Sequence, residues 1–145
     1  MKALVQRVTE ARVEVNGEVV GEIERGILLL LGVERDDNEA CADRLAQKVA
    51  QYRIFEDEQG KMNRSLVDMA GGLLVVSQFT LVADTRKGLR PSFSKGAAPS
   101  EGQRLYDYFV EQAGKWIDSV ATGCFGANMQ VSLINDGPVT FLLET

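Results

Sequence analysis

The stretch Arg12-Val13-Glu14-Val15-Asn16-Gly17-Glu18-Val19-Val20 reads as two strands around a two-residue turn. Val13 and Val15 alternate with Arg12 and Glu14, the period of two that a half-buried strand requires. Asn16-Gly17 suits the two positive φ angles of a type I′ turn, whose twist matches antiparallel strands, and Val19, Val20 and Ile23 resume the apolar pattern. The spacing therefore predicts a β-hairpin, and with it a sheet. Working outward, Gly26 to Val33 is a buried strand ended by the charged loop Glu34 to Asn38. From Glu39 to about Tyr52 the residues Ala42, Leu45, Val49 and Tyr52 recur at helical spacing, with Arg44, Gln47, Lys48 and Gln51 for the wet side.

Gln59-Gly60 and Ala70-Gly71-Gly72 punctuate a loop-rich segment before a further apolar strand, Leu73 to Leu81, interrupted by Ser77, Gln78 and Thr80. A second helix is predicted from near Ser100, a plausible N-cap with Glu101 in its first turn and an apolar stripe of Leu105, Tyr108, Phe109, Gln112, Ala113 and Trp116. The last stretch alternates at Met129, Val131 and Leu133, and again at Val139, Phe141 and Leu143. It is predicted as two strands joined at Asn135-Asp136-Gly137-Pro138. The expected architecture is one α+β domain over residues 1–145, a curved antiparallel or mixed β-sheet, barrel-like, with two main helices packed outside.

Composition narrows the function. A net charge of −5 argues against coating nucleic acid by bulk electrostatics, so any RNA contact must be local. The longest apolar run, Ile27 to Leu31, is far too short to span a bilayer, and no export signal is visible; the cytoplasm is the expected compartment, with Cys41 and Cys124 as reduced thiols. There is no histidine, which excludes Ser-His-Asp and Cys-His nucleophilic machinery and removes the commonest zinc ligand. No metal and no cofactor are expected. Proton transfer in an enzyme of this composition falls to carboxylates, Lys, Tyr, water or the substrate.

Four segments carry candidate chemistry. Ser77-Gln78-Phe79-Thr80 puts hydrogen-bonding side chains in an apolar strand, either as the two faces of a strand near its end or as a row of donors aimed at a bound carbonyl. Asn135-Asp136-Gly137-Pro138 is either a tight connection or a rigid recognition loop, since Pro138 has a fixed φ and a cis Gly137-Pro138 bond would redirect its neighbouring carbonyls. Arg86, Lys87, Arg90 and Lys95 form a local positive run with no acidic residue from Thr85 to Ser100. That run is a solvated loop or a phosphate-binding patch, with Phe93 as a stacking surface. Gly123-Cys124-Phe125-Gly126-Ala127 sets small residues around one ring, as close packing or as the floor of a nucleoside pocket.

Together with Lys87-Gly88, Arg90-Pro91-Ser92-Phe93, Thr122-Gly123, Met129 and the continuation Val139-Thr140, these motifs in this order resemble the D-aminoacyl-tRNA deacylases. The resemblance runs from Gln6-Arg7-Val8 nearly to the end of the chain and shows no departure at the two central motifs, Ser77 to Thr80 and Gly137-Pro138. It implies a hydrolase that frees a D-amino acid from tRNA as a homodimer with its active site at the subunit interface. Ser77, Gln78, Phe79 and Thr80 of one subunit would face the Gly137-Pro138 loop of the other. The resemblance further implies a cis Gly137-Pro138 bond whose carbonyls crowd the space of an L side chain, so that chirality is read by exclusion and glycyl-tRNA is also accepted.

Asn135, Asp136, Gly137, Pro138, Thr140, Phe125 and Met129 are then the expected substrate-binding residues, with Arg7 bracing the Gly-Pro loop, and Arg86, Lys87, Arg90, Phe93 and Lys95 contact tRNA. Backbone N–H groups near Phe79 and Thr80 would hold the oxyanion while the 2′-hydroxyl of the terminal adenosine assists water. The rival makes Thr80 a covalent nucleophile, for which the sequence shows no base. Two other function classes stay open: a non-catalytic RNA-binding dimer, and an esterase for small D-amino acid esters that ignores tRNA.

Overall fold

In the computed structural model of residues 1–145, Asn16 and Gly17 have φ of 50° and 80°, and Val15 pairs with Glu18. The hairpin thus closes as a two-residue I′ turn between β1 (Lys2–Val15) and β2 (Glu18–Ile23), with one register shift between Val13 and Glu14. Strand β3 (Gly26–Gly32) returns antiparallel along the other half of β1, from Lys2↔Gly32 to Val8↔Gly26. Helix α1 (Glu39–Gln51) is capped by the Asn38 side chain on the Cys41 N–H at 3.1 Å and buries Ala42, Leu45, Ala46, Val49 and Ala50. The loop-rich segment holds a short hairpin of β4 (Phe55–Glu56) and β5 (Met62–Arg64). A one-turn helix follows, α2 (Leu66–Met69), closed by a capping box between Ser65 and Asp68. There are therefore three helices, two of them long.

Strand β6 (Gly72–Ser77) lies parallel to β3, and β7 (Val120–Thr122) lies parallel to β6, so the sheet is mixed in the order β2-β1-β3-β6-β7. It curves until β2 meets β7: a Cβ at Gly21 would collide with the Thr122 carbonyl. Helix α3 (Pro99–Ala113) packs with α1 outside the sheet, over a core that includes Val5, Leu29, Val75, Leu45, Leu105 and Phe109. The opposite sheet face encloses Val8, Ala11, Val13, Ile23, Leu28, Leu74 and Val76 and carries no helix. No helix is long and apolar enough to cross a membrane.

Three local expectations change. The apolar run from Leu73 does not stay extended to Leu81. The Gln78 N–H takes the Leu31 carbonyl at 2.8 Å as the last bond to β3, and the chain then coils into a single 3₁₀ turn, Phe79–Val82. Its neighbour β3 ends at Gly32, so continuing the strand would leave the backbone without a ladder partner. Helix α3 begins one residue before Ser100, with Pro99 in its first turn, where proline's missing N–H costs nothing, and no side chain caps it. It ends before Trp116, and Tyr106 is deeply buried where Tyr108 is only half-buried.

The third change matters most. Asn135-Asp136-Gly137-Pro138 is not a turn between two strands but an excursion within one long strand, β8 (Gln130–Glu144), antiparallel to β1. Gln6 pairs with Thr140 and Val8 with Asn135, which leaves Asp136, Gly137, Pro138 and Val139 opposite Arg7 alone. Pro138 has no N–H to give to the ladder, and a bulge is where a sheet accommodates it.

Candidate functional site

The end of β6 and the 3₁₀ turn set the rim of a cavity of about 490 Å³, within the range of small-ligand sites. Ser77, Gln78 and Phe79 line it on one side, and Phe125, Gly126, Ala127 and Met129 on the other, with Tyr106 between them. Two motifs some fifty residues apart in sequence therefore share one hollow. A Cβ at Gly123 would stand 2.6 Å from Met129 Sδ and push that side chain aside; the sulfur accepts the Cys124 N–H at 3.4 Å.

Within the rim, the Gln78 amide donates to the Thr80 hydroxyl. Thr80 is exposed and does not line the cavity itself. Phe79 and Thr80 open the 3₁₀ turn, so their backbone N–H groups have no partner within it. Two adjacent donors at the mouth of a partly apolar hollow are the arrangement that stabilises a developing oxyanion. Tyr106, beneath, donates its hydroxyl to the Val75 carbonyl at 2.7 Å. Burial, followed by the charges of Asp107 and Cys124, raises its pKa well above the usual phenol value, so it is a fixed donor rather than a base.

The Asn135–Thr140 excursion lies away from this hollow in the same chain. The Gly137-Pro138 bond is cis and both residues are exposed. Asn135 staples the excursion at its base, accepting the Val139 N–H and donating to Thr140 Oγ1, both at 2.9 Å. Gln6 reaches the same hydroxyl at 3.4 Å. Arg7 sits under it, 6% exposed, with Nε donating to the Asp136 carbonyl at 3.0 Å and Nη1 to the Ile54 carbonyl at 2.8 Å.

The basic run is less free than its sequence suggests. Asp84, immediately before it, holds Arg86 through its Nε at 2.9 Å and a second nitrogen at 2.6 Å, and stands 3.8 Å from Lys95. Hydrogen bonds from Arg86 hold the Asp84 carboxyl well below its usual pKa. Lys87 and Arg90 have no ion-pair partner and flank the fully exposed Leu89. Phe93 packs on Phe79 with ring centroids 5.1 Å apart, which joins this segment to the rim. Sequence reasoning missed Tyr106, Asp84 and the Ile54 carbonyl. Only Asp84 left a signal, a carboxylate two positions before Arg86.

A more polar cavity of about 680 Å³ opens at the other end of the sheet, where Glu10, Glu22, Glu24 and Arg25 line it, and it contains none of the motif residues.

The mixed, nearly closed sheet with two long helices packed outside it defines the class of fold. Two solved structures share it over nearly their whole length. One is a c-Myc DNA Unwinding Element Binding Protein, 41% identical at a TM-score of 0.95, covering 100% of this chain and 99% of that one. The other is described as a probable eukaryotic D-amino acid tRNA deacylase, 17% identical at a TM-score of 0.87 over 99% and 98%, a likeness of fold alone. The chain belongs to the D-Tyr-tRNA(Tyr) deacylase family, whose model matches residues 4–144. Relatives named D-aminoacyl-tRNA deacylase include those of Stutzerimonas stutzeri (strain A1501), 63% identical, and Pseudomonas aeruginosa (strain LESB58), 60% identical. Each match covers 100% of both chains.

Proposed function

We propose that this protein hydrolyses the ester of D-aminoacyl-tRNA, releasing the D-amino acid and tRNA, and that it does so as a homodimer in the cytoplasm. The observation that carries the mechanism is the 3₁₀ turn that leads with the N–H groups of Phe79 and Thr80 at the rim of a nucleoside-sized hollow. Water adds to the ester carbonyl and these N–H groups hold the resulting oxyanion. Collapse then breaks the bond to the 3′-oxygen, which leaves as the terminal hydroxyl. The neighbouring 2′-hydroxyl orients the water and relays its proton, the role that no side chain fills in a protein without histidine.

The terminal adenosine lies in the hollow against Phe125 and Met129, and Lys87, Arg90 and Phe93 contact the adjoining tRNA. In one chain the Gly137-Pro138 excursion is far from completing the hollow, and a second copy supplies it. The helix-free sheet face favours such pairing. Leu30, Val131 and Leu133 are only partly covered there, and Leu142 is exposed. In the complete site the excursion's backbone, braced by Arg7, excludes an L side chain.

A second reading, a nucleic-acid-binding dimer without turnover, is favoured by the name of the 41% identical neighbour, a DNA Unwinding Element Binding Protein. Single-turnover deacylation of matched D-tyrosyl-tRNA and L-tyrosyl-tRNA with a chelator present separates the two. Release of the D form alone supports the deacylase; release of neither, with tRNA still bound, supports the binding module. Equal cleavage of a D-tyrosine ester lacking any nucleoside would point to a tRNA-independent esterase.

A further inference from the structure

One backbone carbonyl ties three elements of the hollow together. Val75 O accepts the Tyr106 hydroxyl at 2.7 Å and the Gly123 N–H at 3.1 Å, so α3, the 123–127 loop and β6 converge two residues before Ser77. Tyr106 is only 4% exposed, yet its ring lines the cavity and lies against Phe125, centroids 5.7 Å apart and planes at 53°. Gly102, one turn earlier on α3, leaves the underside of Phe125 open, since a Cβ there would reach to 3.8 Å from its Cζ. Phe125 therefore rests on the Tyr106 ring, and that ring is anchored by one hydrogen bond to the strand that ends at the rim.

We propose that Tyr106 is a positioning residue for the nucleoside end of the substrate, fixing the depth and tilt of the Phe125 floor relative to the Ser77–Thr80 rim. This rests on the reading that the hollow takes the terminal adenosine. Tyr106 touches no reacting atom. Its effect is on how firmly the nucleoside seats, while the oxyanion donors at Phe79 and Thr80 keep their places. Removing the hydroxyl alone leaves Val75 O bonded to the Gly123 N–H, so Tyr106→Phe keeps the fold.

The test uses wild type, Tyr106→Phe and Phe125→Ala. Calorimetry measures binding of 3′-amino-3′-deoxyadenosine and of its non-hydrolysable D-alanyl amide, and kinetics follow D-tyrosyl-tRNA. Loss of one anchoring hydrogen bond should weaken both ligands roughly five- to tenfold in Tyr106→Phe. KM should rise in step with kcat held within about twofold, the pattern of lost uniform binding. A lowered Tm with unchanged ligand binding and KM would make Tyr106 merely structural and overturn the proposal. So would a fall in kcat with binding unchanged. Weakening in Phe125→Ala alone would leave the nucleoside pocket standing and sink only the role of Tyr106. If wild type cleaves the tRNA yet binds neither analogue, the nucleoside reading of the hollow fails, and the proposal with it.

Discussion

Arg7 and Asp136 meet across the β1–β8 ladder at the wider of its two register breaks: the Arg7 Nε donates to the Asp136 carbonyl at 3.0 Å and lies 3.6 Å from its carboxylate. Because Nη1 is spent on the Ile54 carbonyl at 2.8 Å, the guanidinium bridges the Gly-Pro excursion to the segment after α1. Arg7→Ala would leave two carbonyls without their donor, at about 1 to 3 kcal/mol each where water cannot replace it. We expect a lower Tm and, since the excursion loses its brace, a smaller D-to-L ratio in deacylation. Arg7→Lys, with a single ammonium in place of a fork, should recover part of the stability and less of the selectivity. A D-to-L ratio that stays at the wild-type value in a folded Arg7→Ala protein would remove Arg7 from the chiral machinery.

Thr80 carries its hydroxyl next to the Gln78 amide, which has no basic lone pair to activate it. Thr80→Ala should therefore keep substantial activity, within about tenfold of wild type, because the backbone N–H is untouched. A tRNA ending in 2′-deoxyadenosine should lose far more, on the order of 10² to 10⁴ in rate, the usual worth of a proton relay. Single-turnover rates for the two pairs decide the matter. Inactive but folded Thr80→Ala, combined with full cleavage of the deoxy substrate, would restore Thr80 as the nucleophile.

Asp84 neutralises part of the basic segment through Arg86 and Lys95. Asp84→Asn keeps an acceptor for the Arg86 N–H and frees both cations, so tRNA should bind more tightly at low salt. The slope of log K against log salt should steepen by about 0.7 to 1.8, one or two added phosphate contacts. Lys87→Ala and Arg90→Ala should flatten it. An unchanged slope in all three variants would place the segment off the tRNA path.

Local periodicity made the first hairpin, α1 and most of α3 legible, because each pattern is written within a dozen residues. What stayed hidden depended on partners distant in sequence. Asn-Asp-Gly-Pro has the same chemistry in a hairpin turn and in a bulge, and only the continued pairing of β1, with Gln6 on Thr140 and Val8 on Asn135, decides for the bulge. The Leu73 to Leu81 run, interrupted only by Ser77, Gln78 and Thr80, reads as one strand, yet the strand stops where β3 stops. Tyr106 and Tyr108 are both compatible with a helical stripe, and the depth of each depends on where β6 and α1 lie. The motif at Ser77 to Thr80 was visible as residue types, but the 3₁₀ turn that begins within it forms only because the chain leaves the ladder there.

Closure of the barrel gives a stability prediction independent of the site. Gly21 faces the Thr122 carbonyl so closely that even a methyl group cannot fit unless β2 and β7 part. Gly21→Ala should destabilise by about 1 to 3 kcal/mol, the usual penalty of overpacking, and Gly17→Ala, which has open space around it, should act only through its positive φ. Denaturant midpoints of the two variants measure the difference. Equal midpoints would mean that β2 and β7 do not abut in solution.

Were chirality read by exclusion, as proposed, the smallest substrate would be accepted. Gly137 and Pro138 are exposed, and a backbone wall that rejects an L side chain offers nothing that rejects its absence. Glycyl-tRNA should be cleaved. Relative to D-alanyl-tRNA, it loses one methyl contact, worth a factor of about 10 to 200 at most in a fitted pocket and less at an exposed rim. L-alanyl-tRNA, whose methyl must enter the excluded space, should fall well below both. Matched single-turnover rates for these three substrates test the principle directly: glycyl-tRNA as resistant as L-alanyl-tRNA would require a contact that recognises the D side chain, and selection would then be by attraction.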